Sequence, residues 1–363
     1  MPPNSCLICY FCAVKIQEKY LSRCIEIARH GLGTTAPNPM VGAVITHGDR
    51  IIGEGYTSPY GGPHAEVNAI RSVRQPELLR ESTLYVTLEP CCHHGKTPPC
   101  TDLILQSGIP RVVIGLQDPH EKVAGQGIAQ LRAGGCEVAV GVLEAACRRH
   151  HRRFLTFHER KRPYIILKWA QSPDGFLAPD PARRKPGEPF WISGKRSRQL
   201  AHKWRTEEAA ILVGTETALA DNPSLTPRDW HGPAPLRILI DRTLRVPVHS
   251  HLLSGESSTL VVCEPGREMP SRPGVDYLPL DFGPGFEGQL CTALHQRHIL
   301  SLLVEGGART LASFLENDLW DEARVFEGPQ ALMGGIRAPQ MIGGTLLEQR
   351  RSGNDLLRIW QHD

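Results

Sequence analysis

The sequence predicts an α/β protein with two domains in tandem, and three observations carry that prediction. Strand-like and helix-like runs alternate from residue 16 to about residue 143. A basic, proline-punctuated stretch follows, and a second alternation opens with "YIILKWA" after Pro163. Such alternation is the mark of layered α/β architecture with a largely parallel or mixed sheet. At 363 residues the chain is long enough for two domains, each burying its own core. The boundary falls near residue 160, separating a domain over 16–159 from one over 160–363.

The elements follow in order. The opening "MPPNSCLICYFCAV" is apolar and carries Cys6, Cys9 and Cys12. It lacks the basic start and cleavage-like pair of a secretory signal. Three cysteines alone leave a zinc site one ligand short, so residues 1–15 are expected to be a disordered tail. "IQEKYLSRCIEIARH" has apolar spacings of three and four and stops at Gly31, which predicts a helix with a glycine end. "MVGAVI" and "RIIGEGYT" predict a hairpin, "HAEVNAIRSV" a helix, and "STLYVTLEP" a strand running into a cysteine cluster. "TDLILQSG" predicts a short helix, and "RVVIGLQDP" and "EVAVGV" two more strands. "RRHHRRFLTFHERKR", with seven Lys or Arg and one acid, predicts a solvated basic helix joining the domains rather than a nucleic-acid patch. In the second half "AAILVG", "LRILID", "STLVVC" and "ILSLLVE" predict strands, with "GKRSRQLAHKWRTEE" and "ARTLASFLEND" as helices. The second half shows no repeat of the first, so the two domains should do different work.

Composition narrows the function classes. The chain is 40% apolar and 22% charged with a net charge of only +3. That charge predicts no bulk attraction to nucleic acid or anionic membranes. No run reaches the roughly 18 apolar residues that a membrane span needs. Eleven cysteines in a chain this long are too sparse for a disulfide scaffold. A reduced, cytoplasmic setting fits, where clustered Cys and His usually mean metal or catalysis.

The cluster "PCCHHGKTPPC", residues 90–100, packs three cysteines and two histidines into eleven positions. A catalytic zinc takes about three N or S ligands and keeps one position open for water, which it makes acidic enough to ionise near neutral pH. A carboxylate must then move the protons. "HAE" at 64–66 offers His64 as ligand and Glu66 as proton carrier, the H-x-E half of the zinc nucleobase deaminase signature whose other half is P-C-x-x-C. Pro90–Cys91 opens that second half at a strand end. Spacing leaves the remaining ligands open: His94 occupies the literal second-cysteine slot, while Cys92, His93 and Cys100 also compete.

"TAPNPMVGAVI", "GPHAEVNAI", "YVTLEPCCHHGKTPPC" and "LQDP", in this order, resemble the deaminase half of the bifunctional riboflavin-biosynthesis deaminase/reductases. The resemblance implies a cytidine-deaminase-like α/β/α N-terminal domain, with His64, Cys91 and Cys100 as zinc ligands and Glu66 as the catalytic proton shuttle. It makes H-H-G-[KR]-T-P-P an insert between the two zinc cysteines and puts Cys92 where the family commonly has serine. It also implies Lys96 and Asn38 as substrate-binding residues, Lys96 toward a phosphate. The reaction implied is hydrolytic loss of ammonia from a phosphorylated aminopyrimidine.

The second half lacks a G-x-G-x-x-G turn, although "SLLV" runs through "EGGART" into a helix, a turn where backbone N–H groups can approach an anion. "KWAQSPDG", "WIS", "ALADNPSLTPR", "LRILID" and "VEGGARTLASFL" are similar, in order, to the family's reductase half. That similarity implies a dihydrofolate-reductase-like α/β C-terminal domain that uses NADPH to turn a ribosyl group into ribityl. Ala170, Trp191, Thr217, Asp221, Gly307, Ala308, Arg309, Thr310, Leu311, Ala312 and Ser313 would line the cofactor. Arg205, Leu225, Arg228 and Glu305 would hold substrate. Pro189 stands where the family usually has serine, and "FEGPQALMGG" replaces its usual Ala-Pro-Lys type of sequence. The family also implies a homo-oligomer. The competing readings are a nucleic-acid-editing deaminase, which 6% aromatics and the mild charge do not support, and a zinc-stabilised binding module, which has no use for Glu66.

Overall fold

The computed structural model describes residues 18–93, 98–119, 124–184 and 187–362. The expectations for the N-terminal tail with its three cysteines, and for His94 and Lys96, lie outside the described residues. The chain divides into two compact units, one up to Arg160 and one from Lys161. No helix among the described residues is long and apolar enough to cross a membrane.

The first unit opens with α1 (residues 18–28), which continues as a tight turn over Arg29–Gly31. Tyr20, Leu21, Cys24, Ile27 and Ala28 form its buried stripe, at the spacing of one helix face. Then come β1 (Gly42–His47), β2 (Arg50–Tyr56), α2 (Ala65–Ser72), β3 (Thr83–Val86), α3 (Cys100–Gln106), β4 (Arg111–Ile114), α4 (Gln126–Ala133) and β5 (Glu137–Val140). The sheet order is β2-β1-β3-β4-β5. The β2-β1 and β1-β3 pairs are antiparallel, while β3, β4 and β5 run parallel. Ala43, Val44 and Ile45 of β1 are fully buried, because the sheet is covered on both faces. Gly55 of β2 lets α2 lie against the strand: a Cβ there would stand 2.3 Å from Ala69 N and 2.5 Å from Ala65 O.

The basic stretch corrects an expectation. It forms two helices, α5 (Glu144–His150) and α6 (Arg152–Glu159), and not one solvated connector. Cys147, His151, Phe154, Leu155 and Phe157 are buried, so the segment closes the core of the first unit with its apolar face. The arginines occupy the remaining face, as in any amphipathic helix.

The second unit is built on a nine-stranded sheet, ordered β11-β10-β9-β8-β12-β6-β13-β16-β15. Its strands are β6 (Tyr164–Gln171), β8 (Ala210–Gly214), β9 (Leu236–Ile240), β10 (Thr259–Cys263), β11 (Val275–Pro279), β12 (Ser301–Gly306), β13 (Glu322–Glu327), β15 (Thr345–Ser352) and β16 (Asp355–Gln361). The strands from β11 to β13 are parallel, and β16 and β15 add an antiparallel edge. A short pair, β7 (Phe176–Ala178) with β14 (Ile336–Arg337), stands apart. The helices are α7 (Lys195–Glu207), α8 (Thr215–Asp221), α9 (Phe286–Gln296) and α10 (Ala308–Glu316). A separate apolar core covers each face, one around Leu212, Val304 and Phe314 and the other around Ile211, Leu303 and Trp204. Burial on both faces explains why the central strands are continuous apolar runs.

Candidate active sites

In the first unit three chain segments meet beyond the carboxyl end of β3. His64 is the N-cap of α2, with extended backbone at φ −73° and ψ 165°. It therefore does not lie on the helix, and the roughly 200° that would separate residues two apart on one does not apply. Glu66, in the first helical turn, is buried to 4% exposure. Cys91 follows β3, and Cys100 begins α3. The Nδ1 atom of His64 lies 3.6 Å from Cys91 Sγ and 3.4 Å from Cys100 Sγ. One ligand atom from each of the three residues lies within 4.8 Å of the others. Among the described residues no fourth donor joins the group; Cys92 is half-buried and His93 exposed. An imidazole and two thiols gathered this closely fit a tetrahedral zinc with one corner left for solvent.

Electrostatics agrees with the donor set. The hydrogen bond with Cys100 holds the Cys91 thiol well below its ordinary range, assisted by His64, and raises Cys100 in return. Hydrogen bonding to Cys91 raises the His64 imidazole against the opposing effect of burial. Burial, with the Cys91 charge behind it, pushes the Glu66 carboxyl up to about 7.

Asn38 lies in the loop entering β1, half-buried. Because β1 runs antiparallel to β3, with Ala43 opposite Val86, this loop enters at the same end of the sheet from which Cys91 departs. Sequence reasoning missed Glu89, a buried carboxylate two residues before Cys91. It accepts backbone N–H groups from Asp118, Gly125 and Ile128. Its signal was an acidic residue at the end of an otherwise apolar strand.

In the second unit the carboxyl ends of β8 and β12 lie side by side. A Cβ at Gly307 would stand 2.8 Å from Thr217 Oγ1, and one at Gly214 would stand 2.7 Å from Thr310 Oγ1. Thr217, Gly307 and Thr310 therefore come together at the start of α10, whose N-cap Gly307 supplies no side-chain cap. Open N–H groups beside glycines and hydroxyls fit a dinucleotide phosphate. Ala170, next to last in β6, is half-buried, Ala308 and Ala312 are half-buried on α10, and Arg309 is exposed there. Ser313 donates to Glu287. Asp221 accepts from Arg184, a partner not anticipated. Trp191 is 51% exposed, with the Arg198 guanidinium over its ring. Leu311 is in the core, and its N–H is committed to Gly307 O, so the structure does not turn it toward this corner.

Arg205 and Glu305, both expected to hold substrate, hold each other. The guanidinium makes a two-pronged bond to the carboxylate at 2.9 and 2.8 Å, and Lys168 Nζ approaches Glu305 at 3.7 Å. Arg205 and Lys168 hold the Glu305 carboxyl down to about 2 although burial alone would raise it, while burial lowers the Lys168 ammonium. Lys168 was legible as the lysine of "KWAQSPDG" but had been given no role. Leu225 is buried to 2% exposure at φ 55° within the core, and Arg228 is exposed.

Comparison with known proteins finds a family match in each unit. The cytidine and deoxycytidylate deaminase zinc-binding region matches residues 14–116, and the RibD C-terminal domain matches residues 163–361. The riboflavin biosynthesis protein RibD of Aquifex aeolicus is 40% identical over 328 residues, covering 89% of each chain. The chain belongs to the RibD family. RibD of Escherichia coli is 37% identical over 335 residues, covering 88% of this chain and 89% of its own. The crystal structure of a Thermotoga maritima diaminohydroxyphosphoribosylaminopyrimidine deaminase/5-amino-6-(5-phosphoribosylamino)uracil reductase superimposes with a TM-score of 0.87 at 35% identity. It covers 96% of this chain and 99% of its own. As a RibD-family member, the protein is a bifunctional enzyme of riboflavin biosynthesis, with a zinc deaminase domain before an NADPH-dependent reductase domain.

Proposed function

We propose that the first unit deaminates 2,5-diamino-6-(ribosylamino)-4-pyrimidinone 5'-phosphate and that the second reduces the product, 5-amino-6-(5-phosphoribosylamino)uracil, at its ribosyl group. The meeting of His64, Cys91 and Cys100 beside the buried Glu66 carries this reading. His64, Cys91 and Cys100 would hold zinc, which when bound would make a water acidic enough to attack at neutral pH. Glu66 takes a proton from the attacking water on its carboxylate and delivers it to the exocyclic nitrogen, so that ammonia departs. Its burial keeps bulk water from competing for that proton. Asn38 holds the pyrimidine, and Lys96 the phosphate.

The second unit would hold NADPH, which when bound would supply the hydride for reducing the anomeric carbon of the opened sugar. Gly307 and the first turn of α10, with Thr217 and Thr310, receive its phosphates. Ala170, Trp191 and Asp221 border it; Asp221 does so once Arg184 yields. Arg228 meets the substrate phosphate from its exposed position, while Glu305, fixed by Arg205 and Lys168, faces the sugar. A reducing cytoplasm, which keeps thiols such as Cys91 and Cys100 available to a metal, is part of this proposal. A homo-oligomer belongs to the same proposal, and β15, an edge strand exposed along nearly its whole length, is the surface that supports it.

The test follows ammonia release, NADPH oxidation and zinc content in the full chain, using the phosphorylated diaminopyrimidine. Stripping zinc with a chelator should stop ammonia release yet leave NADPH oxidation on the deaminated pyrimidine intact. Continued ammonia release from the stripped chain would overturn the assignment.

A further inference from the structure

Cys91 and Cys100 lie on different segments, and each must be held independently if the pair is to present a fixed ligand set. α4 touches both segments. At its N-terminus the N-cap is Gly125, at φ 84° and without a side-chain cap, so the helix begins with its N–H groups uncapped by its own chain. Glu89 supplies the missing cap from β3's extension. Its Oε2 accepts Gly125 N–H at 2.9 Å and Asp118 N–H at 3.2 Å, and its Oε1 accepts Ile128 N–H at 3.0 Å. A carboxylate at a helix N-terminus also meets the positive end of the dipole. The close approach is built in: a Cβ on Gly127 would fall 2.3 Å from Pro90 O and 3.1 Å from Glu89 Oε1. Only glycine lets α4 seat against the residue that precedes Cys91.

One turn along, Gln130 reaches the other segment. Its Oε1 accepts from Thr101 Oγ1 at 3.0 Å, and its Nε2 donates to Asp102 Oδ1 at 2.7 Å. Thr101 follows Cys100 directly, and its N–H donates to Cys91 O at 3.2 Å. A single helix thus grips the chain just before one cysteine and just after the other.

We propose that α4 is a clamp on the metal centre, with Glu89 and Gln130 as positioning residues that set the separation of Cys91 and Cys100. The inference rests on the zinc reading above. Partners of this kind orient metal ligands without touching the metal, and removing one typically weakens metal affinity by about 10–100-fold.

Glu89→Gln keeps the side chain's size but points an N–H₂ group at a backbone N–H. Gln130→Ala removes the second grip alone. In the full chain each should lose zinc to a competing chelator about 10–100-fold more readily than wild type. Each should also shift the thiolate-to-cobalt absorption of the Co(II)-loaded protein and lower kcat for ammonia release. NADPH oxidation on the deaminated substrate should stay at the wild-type level, certifying a folded chain. Wild-type zinc affinity and cobalt spectrum in either variant, even with a lowered melting temperature, would overturn the clamp and leave a merely structural contact. If Glu89→Gln does not fold, Gln130→Ala decides alone. A wild-type chain that holds no zinc, or a Cys100→Ser variant that holds it as tightly, would instead overturn the ligand assignment.

Discussion

In the proposed reaction Glu66 would serve both water and leaving nitrogen, and the start of its helix one residue after His64 gives it the position to do so. The N-cap backbone turns the imidazole toward the cysteines while the first turn carries the carboxylate inward. Glu66→Gln keeps the volume and the ligands but cannot carry a proton. Ammonia release should fall by at least the 10²–10⁴-fold typical of a lost general acid–base, roughly, with zinc content by metal analysis unchanged. A variant that still releases ammonia at the wild-type rate would return the site to a binding role. The Glu305 cluster makes a different prediction. Glu305→Gln leaves Arg205 and Lys168 buried without their counter-charge. Breaking a buried pair from one side costs about 3–5 kcal/mol, so urea unfolding of the second unit should shift by that amount. At this scale "HAE" and Pro90–Cys91 were legible as local motifs, whereas spacing left the remaining ligand open and only the family resemblance pointed to Cys100. Arg205 with Glu305 was not legible, because the two meet across 100 positions and each looked like an independent ligand for substrate.

The helices and strands show where patterns fail. β1 and β2 were legible as two strand-like runs separated by a turn, and the helix over 18–28 from its stripe. β3 is only four residues, Thr83–Val86, although the apolar run continues to Leu88: beyond Val86 the backbone leaves the sheet to carry Glu89 and Cys91. α4 escaped notice because it begins after a glycine and contains another, which lowers helix propensity; its reason lies in what it packs against. The α5–α6 joint has a pH consequence. Burial pushes the His150 imidazole down to about 4, with Arg29, Arg152 and Arg153 assisting, against the opposing bond from its Nε2 to Met40 O. Neighbouring His151, bonded to Thr87 Oγ1, is lowered further by burial. Both are neutral when folded but protonate near 6.5 when unfolded. Their stabilisation is therefore complete above about pH 6.5 and drains away as pH falls toward the folded values. Unfolding free energy of the first unit should drop on the order of 2 kcal/mol between pH 7 and 4.5 on account of His150. His150→Gln, which can still donate to Met40 O, should flatten part of that drop in denaturant titrations at the two pH values.

Over the whole chain, the alternation of elements and the break at Pro163 made two units legible. The strand order within the second did not follow, because β12 inserts between β8 and β6 through pairings with no local signature. The C-terminal hairpin of β15 and β16 was missed for its polar, arginine-rich face. Each unit nonetheless has a closed sheet-and-helix core of its own, and each of the two family domains matches within one unit. The proposed zinc donors all come from one side of Arg160, and the β8–α10 corner and the Glu305 cluster all come from the other. The chemistry should then divide where the chain divides. Expressed alone, residues 161–363 should oxidise NADPH in the presence of the deaminated pyrimidine at a rate within a few-fold of the full chain. Residues 1–160 alone should hold one zinc and release ammonia from the diaminopyrimidine. A mixture of the two pieces should then carry the substrate through both steps, with the intermediate free in solution. If the C-terminal piece folds, as circular dichroism would report, yet reduces only when the N-terminal piece is added, the two reactions share a site and the division into independent catalysts is wrong.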